Sequence, residues 1–150
     1  MKSRRSFLLK TGLSALAFAV PKIESFSGES PKNFAAIRPV QDGPVLKVAL
    51  MGLGSYAARV ADAMQSCKRA KITGLISGTP SKLESWSKKY AVPEANCYNY
   101  ETYHQIKDNP DIDAVYVITP NALHKPHALG VAAAGKHVIC EKPMSVNASD

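Results

Sequence analysis

The chain has 150 residues, 45% of them hydrophobic, with ten prolines, three cysteines and a formal charge of +7. That length supports a single core. Four of the positive charges (Lys2, Arg4, Arg5, Lys10) lie in the first ten residues, and without them the balance falls to about +3, which leaves no basic footprint for nucleic acid. Cys67, Cys97 and Cys140 form no metal-binding pattern, and at most two of them can pair in an oxidising compartment.

In chain order, Ser3-Arg4-Arg5-Ser6-Phe7-Leu8-Leu9-Lys10 resembles a twin-arginine export signal. The apolar segment Leu13 to Val20 that follows is too short to span a bilayer, and Ala17-Phe18-Ala19 offers a small-x-small cleavage site. Residues 1–20 therefore read as a signal peptide that directs the protein to the periplasm through the twin-arginine machinery. A basic amphipathic anchor is the competing account, and the register of the twin arginines with Phe7-Leu8 argues against it. Residues 21–44 carry Pro, Ser, Gly and Lys without periodicity and read as a flexible arm or linker.

From residue 45 the pattern changes. The apolar run Val45 to Met51 ends in Gly52-Leu53-Gly54-Ser55-Tyr56-Ala57, followed by a small-residue helical pattern through Ala58, Val60, Ala61 and Met64. A buried strand, a tight glycine turn and a helix start form the context of a dinucleotide-binding fingerprint. Gly52 permits the sharp turn, Gly54 lets backbone approach a pyrophosphate, and Ala57 lets the helix lie close on the strand. The turn from Gly52 through Leu53, Gly54, Ser55 and Tyr56, with its free helix N-terminus, is the expected phosphate cradle. A second strand is expected over Lys71–Ile76, and its helix at Pro80, with Thr79 in the capping position. Tyr98, Tyr100 and Tyr103 cluster after a short strand near Cys97 and read mostly as packing.

Asp113–Ile118 reads as a buried strand stopping at Thr119-Pro120-Asn121. A helix follows from about His124 to Ala134, closed by Gly135. His137–Cys140 reads as another buried strand, ending at Glu141-Lys142-Pro143, with Cys140 as inert packing. Strands alternating with helices predict an α/β fold, a Rossmann-type doubly wound parallel sheet over residues 45–150. Ligands on such sheets sit beyond the carboxyl ends of the strands, so Gly52–Tyr56, Ser77–Thr79, Thr119–Asn121 and Glu141–Pro143 gather on one edge. Thr119 and Asn121 then border the ribose or nicotinamide of a cofactor, with plain turn chemistry as the competing account. His124 faces the cofactor or serves as a surface cap. With His127 three residues on it looks like a metal pair, but no suitably spaced third ligand appears and no metal is expected.

Gly-Leu-Gly near the start, Thr119-Pro120-Asn121-Ala122-Leu123-His124, and Ala134-Gly135-Lys136-His137-Val138-Ile139-Cys140-Glu141-Lys142-Pro143 together resemble the glucose–fructose oxidoreductase, inositol dehydrogenase and rhizopine-catabolism family, over about residues 46 to 150. The resemblance implies an NAD(P)-dependent oxidoreductase acting on a sugar or polyol, a homo-oligomer at full length. It makes Lys142, beside the nicotinamide and the substrate hydroxyl, the catalytic residue, and puts Glu141 and Tyr98 on the cofactor side. An ammonium beside an alcohol under oxidation stabilises developing alkoxide or relays its proton. Without the resemblance, Lys142 reads as a solvated strand-end lysine.

The second strand bears on the cofactor. NAD-binding folds usually carry an acid about twenty residues past the glycines. Here Ser77-Gly78-Thr79-Pro80-Ser81-Lys82 follows the strand, with no acid before Glu84. A carboxylate would repel a 2′-phosphate, whereas Ser77 and Lys82 can bind one. NADP is therefore expected over NAD. The alternatives are an NAD-dependent, redox-assisted glycoside hydrolase of the same fold, or a nucleotide-binding fragment without catalysis. Family members continue into a mixed α/β substrate domain, so the chain reads as the nucleotide half, truncated before it. Folded proteins can use the twin-arginine route, which suits an enzyme that loads its nucleotide before export.

Overall fold

The structure, a computed structural model, describes residues 43–149; the expected signal peptide and nearly all of the expected arm lie outside the described residues. Five parallel strands, β1 (Leu46–Met51), β2 (Ala70–Ile76), β3 (Cys97–Tyr98), β4 (Ala114–Val117) and β5 (His137–Cys140), form one sheet in the order β3-β2-β1-β4-β5. Helix α1 (Ser55–Met64) links β1 to β2, α2 (Pro80–Tyr90) lies between β2 and β3, and α3 (His124–Ala133) links β4 to β5. The strand order reverses on either side of β1, which sets a topological switch point between β1 and β4.

The apolar runs explain the layers. Alternate residues of β1 feed opposite faces: Ala49 and Met51 join Ile76, Val115, Val117 and Val131 of α3. Val48 and Leu50 join Ala61 of α1, Leu75 and Tyr90 of α2. The sheet is thus covered on both faces, and central strands read as unbroken hydrophobic runs. Between β1 and β2 the register slips, with Val48 opposite Ile72 but Ala49 opposite Gly74. Thr73 is the extra residue of this bulge, and its carbonyl is satisfied by Asn96 Nδ2 at 2.9 Å. A Cβ on Gly74 would stand 2.9 Å from Ala49 Cβ, so only glycine lets the two strands pass this closely.

Past the bulge the sheet is in step. Met51, Ile76, Tyr98, Val117 and Cys140 stand opposite one another in a single row. The next residue of each of four strands still donates back into the ladder: Gly52 N to Ile76 O, Ser77 N to Tyr98 O, Ile118 N to Met51 O, and Glu141 N to Val117 O. The four segments expected at one edge therefore leave the sheet at one level.

Some boundaries differ from expectation. The second strand starts one residue earlier, at Ala70, and the fourth covers only Ala114–Val117, flanked by Asp113, whose Oδ2 accepts from Lys47 N at 2.8 Å. Helix α3 ends at Ala133, and Gly135 takes the left-handed conformation expected of a stop (φ +71°). Among the described residues β5 pairs with β4 alone, with Ile139 exposed and Cys140 half-buried, short of the buried strand expected. A run of four apolar-leaning residues does not distinguish an edge from a centre. Among the described residues no helix is long and apolar enough to cross a membrane.

Candidate functional site

A cleft of about 530 Å³ opens beyond the carboxyl ends of β1, β2 and β4, within the usual size range of ligand sites. Its floor is the β1–α1 turn. Gly52 has φ +96°, and a Cβ there would lie 2.8 Å from Ile118 O and 2.9 Å from Thr119 Cγ2, so the turn is pressed against the end of β4. Nothing lies within 4 Å of a Cβ placed on Gly54, which faces open cleft. Gly54 caps α1 with no side-chain bond, and the first turn of the helix holds no acid. The first intrahelical bond runs from Ala58 N to Gly54 O. The N–H groups of Ser55, Tyr56 and Ala57 therefore have no acceptor within the helix, and with the helix dipole they suit an anion.

The β2 side of the cleft carries Ser77, Gly78, Thr79 and Lys82. Ser77 is buried and its Oγ accepts from Thr79 N at 3.2 Å, which leaves its hydroxyl proton to be donated. Thr79 stands at the N-cap of α2, but its hydroxyl makes no capping bond, contrary to the capping expectation, and Pro80 follows at the first helical position. Lys82 is exposed at the rim and enters no ion pair among the described residues.

A second recess, of about 240 Å³, adjoins the first and shares Tyr56, Ile118 and Thr119 with it, adding Asn121, His124, Glu141 and Lys142. Glu141 is held from two sides: Tyr116 Oη donates to its Oε1 at 2.6 Å, and Lys142 N donates to its Oε2 at 3.1 Å. The Tyr116 hydroxyl bond keeps the Glu141 carboxyl below its ordinary range, helped by the Lys142 N–H and Tyr56. Burial first, then the hydrogen bond to Glu141 and its charge, push the Tyr116 phenol upward. The Lys142–Pro143 peptide is cis, and the Lys142 side chain is exposed. His127 Nδ1 lies 3.1 Å from Thr119 Oγ1, and its ring stacks on Tyr100 at 5.0 Å. Burial, then the nearby His124, holds the His127 imidazole below its ordinary range.

Of the residues singled out in the sequence, Gly52, Leu53, Gly54, Ser55, Tyr56, Ser77, Lys82 and Thr119 line the first recess, and Asn121, His124, Glu141 and Lys142 line the second. Tyr98 lines neither. It belongs to the sheet row described above and points into the core with Met51 and Ile76, its hydroxyl accepting from Asn109 Nδ2 at 2.8 Å. The aromatic wall is Tyr100 instead, close enough to Gly78 that a Cβ there would sit 3.1 Å from its ring. The available signal was Asn99, whose Oδ1 accepts from Glu101 N and Thr102 N and turns the chain out of β3. A further depression of about 450 Å³ lies at the amino ends of the strands, lined by Lys71, Tyr90 and Asn96, and no glycine turn opens into it. Among the described residues no group of three His, Cys, Asp or Glu is placed to hold a metal ion.

This arrangement fits a dinucleotide: an uncapped, acid-free helix start, an open glycine beside it, and the switch-point crevice. The chain belongs to the glucose–fructose oxidoreductase, inositol dehydrogenase and MocA oxidoreductase family with an NAD-binding Rossmann fold, which matches residues 46–150. It is 49% identical to aldose–aldose oxidoreductase from Caulobacter crescentus, solved with glycerol, with TM-score 0.66 over 67% of this chain and 30% of that one. Scyllo-inositol dehydrogenase from Lactobacillus casei, solved with NAD(H) and scyllo-inositol, is 27% identical with TM-score 0.59, over 69% of this chain and 29% of that one. The dTDP-3,4-didehydro-2,6-dideoxy-alpha-D-glucose 3-reductase of Saccharopolyspora spinosa is 30% identical over 106 residues, 70% of this chain and 30% of that protein. The chain spans 18% to 31% of the length of these curated relatives. It carries the NAD-binding Rossmann fold of that oxidoreductase family.

The two glycines of the turn separate fold from ligand. Gly52→Ala places a Cβ against Ile118 O at positive φ and should cost about 1–3 kcal/mol of stability. Gly54→Ala meets nothing in the protein and should leave the denaturant midpoint unchanged while weakening nucleotide binding about tenfold or more, roughly 1.4 kcal/mol. Urea titration and calorimetry read the two effects; equal behaviour of the two variants would refute the division.

Proposed function

We propose that this chain is the nucleotide-binding part of an exported, NADP-preferring oxidoreductase that moves hydride between a hydroxyl-bearing carbon of a sugar or polyol and the nicotinamide. The carrying observation is the pair of recesses meeting at Tyr56 and Thr119, with Lys82 at the outer side of one and Lys142 in the other. When bound, the nicotinamide supplies or accepts the hydride. The rest falls to the chain. The N–H groups at the start of α1 take the pyrophosphate, and Ser77 and Lys82 take a 2′-phosphate. Thr119 and Asn121 border the ribose or nicotinamide. Lys142 Nζ would hydrogen-bond the substrate oxygen, as the neutral amine accepting the hydroxyl proton when the sugar is oxidised and as the ammonium returning it when the sugar is reduced. The aldose–aldose oxidoreductase and scyllo-inositol dehydrogenase relatives support the sugar or polyol class.

The acid-free stretch from Ser77 to Lys82 supports NADP. The full-length protein should bind NADP more tightly than NAD, and Lys82→Ala should narrow that difference; a calorimetric titration giving tighter NAD binding overturns the preference. For export, the support is Arg4-Arg5 with Phe7. Changing both arginines to lysine should leave folded precursor in the cytoplasm, and mature protein still found in the periplasm on fractionation would count against the signal.

For catalysis, Lys142→Met in the full-length protein should retain nucleotide binding, because the phosphates rest on the β1–α1 turn. Single-turnover hydride transfer from candidate sugars, followed by nicotinamide absorbance, should fall by about 10² or more. Near-wild-type rates would remove Lys142 from the reaction.

A further inference from the structure

Tyr116 stands within the apolar run of β4, opposite Leu50 of β1 and Ile139 of β5. Its ring packs on the α1 side of the sheet, against the cluster that holds Val48, Leu50 and Leu53. Phenylalanine would fill that place equally well, and the hydroxyl has a partner of its own. Ile139 and Glu141 are two residues apart, and side chains at that spacing share a face along an extended chain. Glu141 N still donates into the ladder, to Val117 O, so its side chain falls diagonally across from Tyr116. Tyr116 Oη donates to Glu141 Oε1 at 2.6 Å, a short bond to a charged acceptor.

The other carboxylate oxygen, Oε2, accepts from Lys142 N at 3.1 Å. One rigid carboxylate therefore joins a sheet residue to the peptide from which Lys142 projects. The Lys142 side chain is exposed, and no salt bridge among the described residues holds it. Its direction is set by its backbone. The titratable and charged groups facing the carboxylate come from several elements: Tyr116 from β4, Tyr56 from the first turn of α1, and Lys142 from its own loop. His124 of α3 lines the same recess, and Cys140 turns its thiol to Glu141 O at 3.4 Å. The two phenols and the Lys142 N–H favour the charged carboxylate, and the Tyr116 bond is the strongest of them.

We propose that Tyr116 is a positioning residue whose hydroxyl, through the Glu141 carboxylate, sets the Lys142 peptide and so the placing of Lys142 Nζ at the reacting carbon. It touches no reacting atom, and the proposal rests on the role given to Lys142 above. Packing is a separate duty of the same ring, and Tyr116→Phe keeps it.

The test uses the full-length protein, Tyr116→Phe, Glu141→Gln and the two combined. Carbon-13 NMR of protein labelled at the glutamate carboxyl carbons follows Glu141, assigned by its loss in Glu141→Gln. Its carboxyl should titrate below the ordinary carboxylate range in the unsubstituted protein and higher in Tyr116→Phe, because removing a donor disfavours the charged form. An unchanged titration overturns the link between the two residues. In turnover, Tyr116→Phe should lower kcat by about tenfold to a hundredfold, the scale of misplacing a catalytic group. Nucleotide affinity should stay within about threefold, because the phosphates rest on the β1–α1 turn. Since Tyr116 acts through Glu141, adding Tyr116→Phe to Glu141→Gln should lower kcat no further. Unchanged kcat, kcat and nucleotide affinity falling together, or additive losses in the combined variant refute positioning. Should Tyr116→Phe fail to fold, Glu141→Gln takes its place with the same expected loss of kcat, and Glu141 titrating in the ordinary range in the unsubstituted protein overturns the link. That titration does not depend on turnover, so a failure of Lys142→Met to slow hydride transfer strikes the proposed function and is distinguishable from a failure here.

Discussion

The contact on which the site depends is the approach of the β1–α1 turn to the end of β4. Gly52 sits where any side chain would press on Ile118 O and Thr119. That closeness brings the start of α1 up to the switch point, where the connections leave β1 and β4 on opposite faces of the sheet. Were the turn wider, the helix N-terminus would retreat from the crevice and its unbonded N–H groups would face water. The bulge at Thr73 acts in the same direction on the other flank. It corrects the register so that β2 and β3 end level with β1, and Ser77 enters the same cleft as Gly54.

Around that contact the walls are made of groups that each already have a hydrogen-bond partner within the protein. Thr119 gives its carbonyl to His124 and its hydroxyl to His127. Glu141 is engaged by Tyr116 and by the Lys142 backbone, and Ser77 Oγ by Thr79 N. Such commitments fix orientation, since a buried polar group that swings away loses its partner at a cost of about 1–3 kcal/mol. The side chains that project from these walls, Lys82, Asn121 and Lys142, are exposed. The division of labour is physical: rigid acceptors and rings define the shape, and exposed lysines supply charge that can be redirected to a ligand.

Much of this was legible from residues alone, for identifiable reasons. Gly52-Leu53-Gly54 after an apolar run, and Gly135 after α3, are positions where backbone geometry demands the residue type, so type implies geometry. The alternation of strands and helices then implied the sheet and the edge on which the ligand segments gather. What was not legible depended on pairing. Tyr98 and Tyr100 are two residues apart and look alike in composition, but Tyr98 stands in the sheet row opposite Ile76 while Asn99 turns Tyr100 outward. Likewise, His137–Cys140 has the composition of a buried strand, yet among the described residues it pairs with β4 alone and Ile139 is exposed.

His124 illustrates the same limit at the site itself. Its position four residues after Pro120 suggested a helix start facing either cofactor or solvent, and the ring does neither as its principal contact. It turns inward because the chain returns through Pro143 at a distance of 19 residues and offers a carbonyl there. No local pattern encodes that meeting, since a backbone carbonyl is common to every residue. The inward turn also accounts for the low titration of His127, which after burial feels the neighbouring ring. Two histidines three apart therefore have unlike surroundings: one lies buried between Thr119 O and Pro143 O, and the other packs beside Tyr100 and meets the Thr119 hydroxyl. Spacing alone made them resemble a metal pair; the partners each one finds across the fold make them parts of a wall.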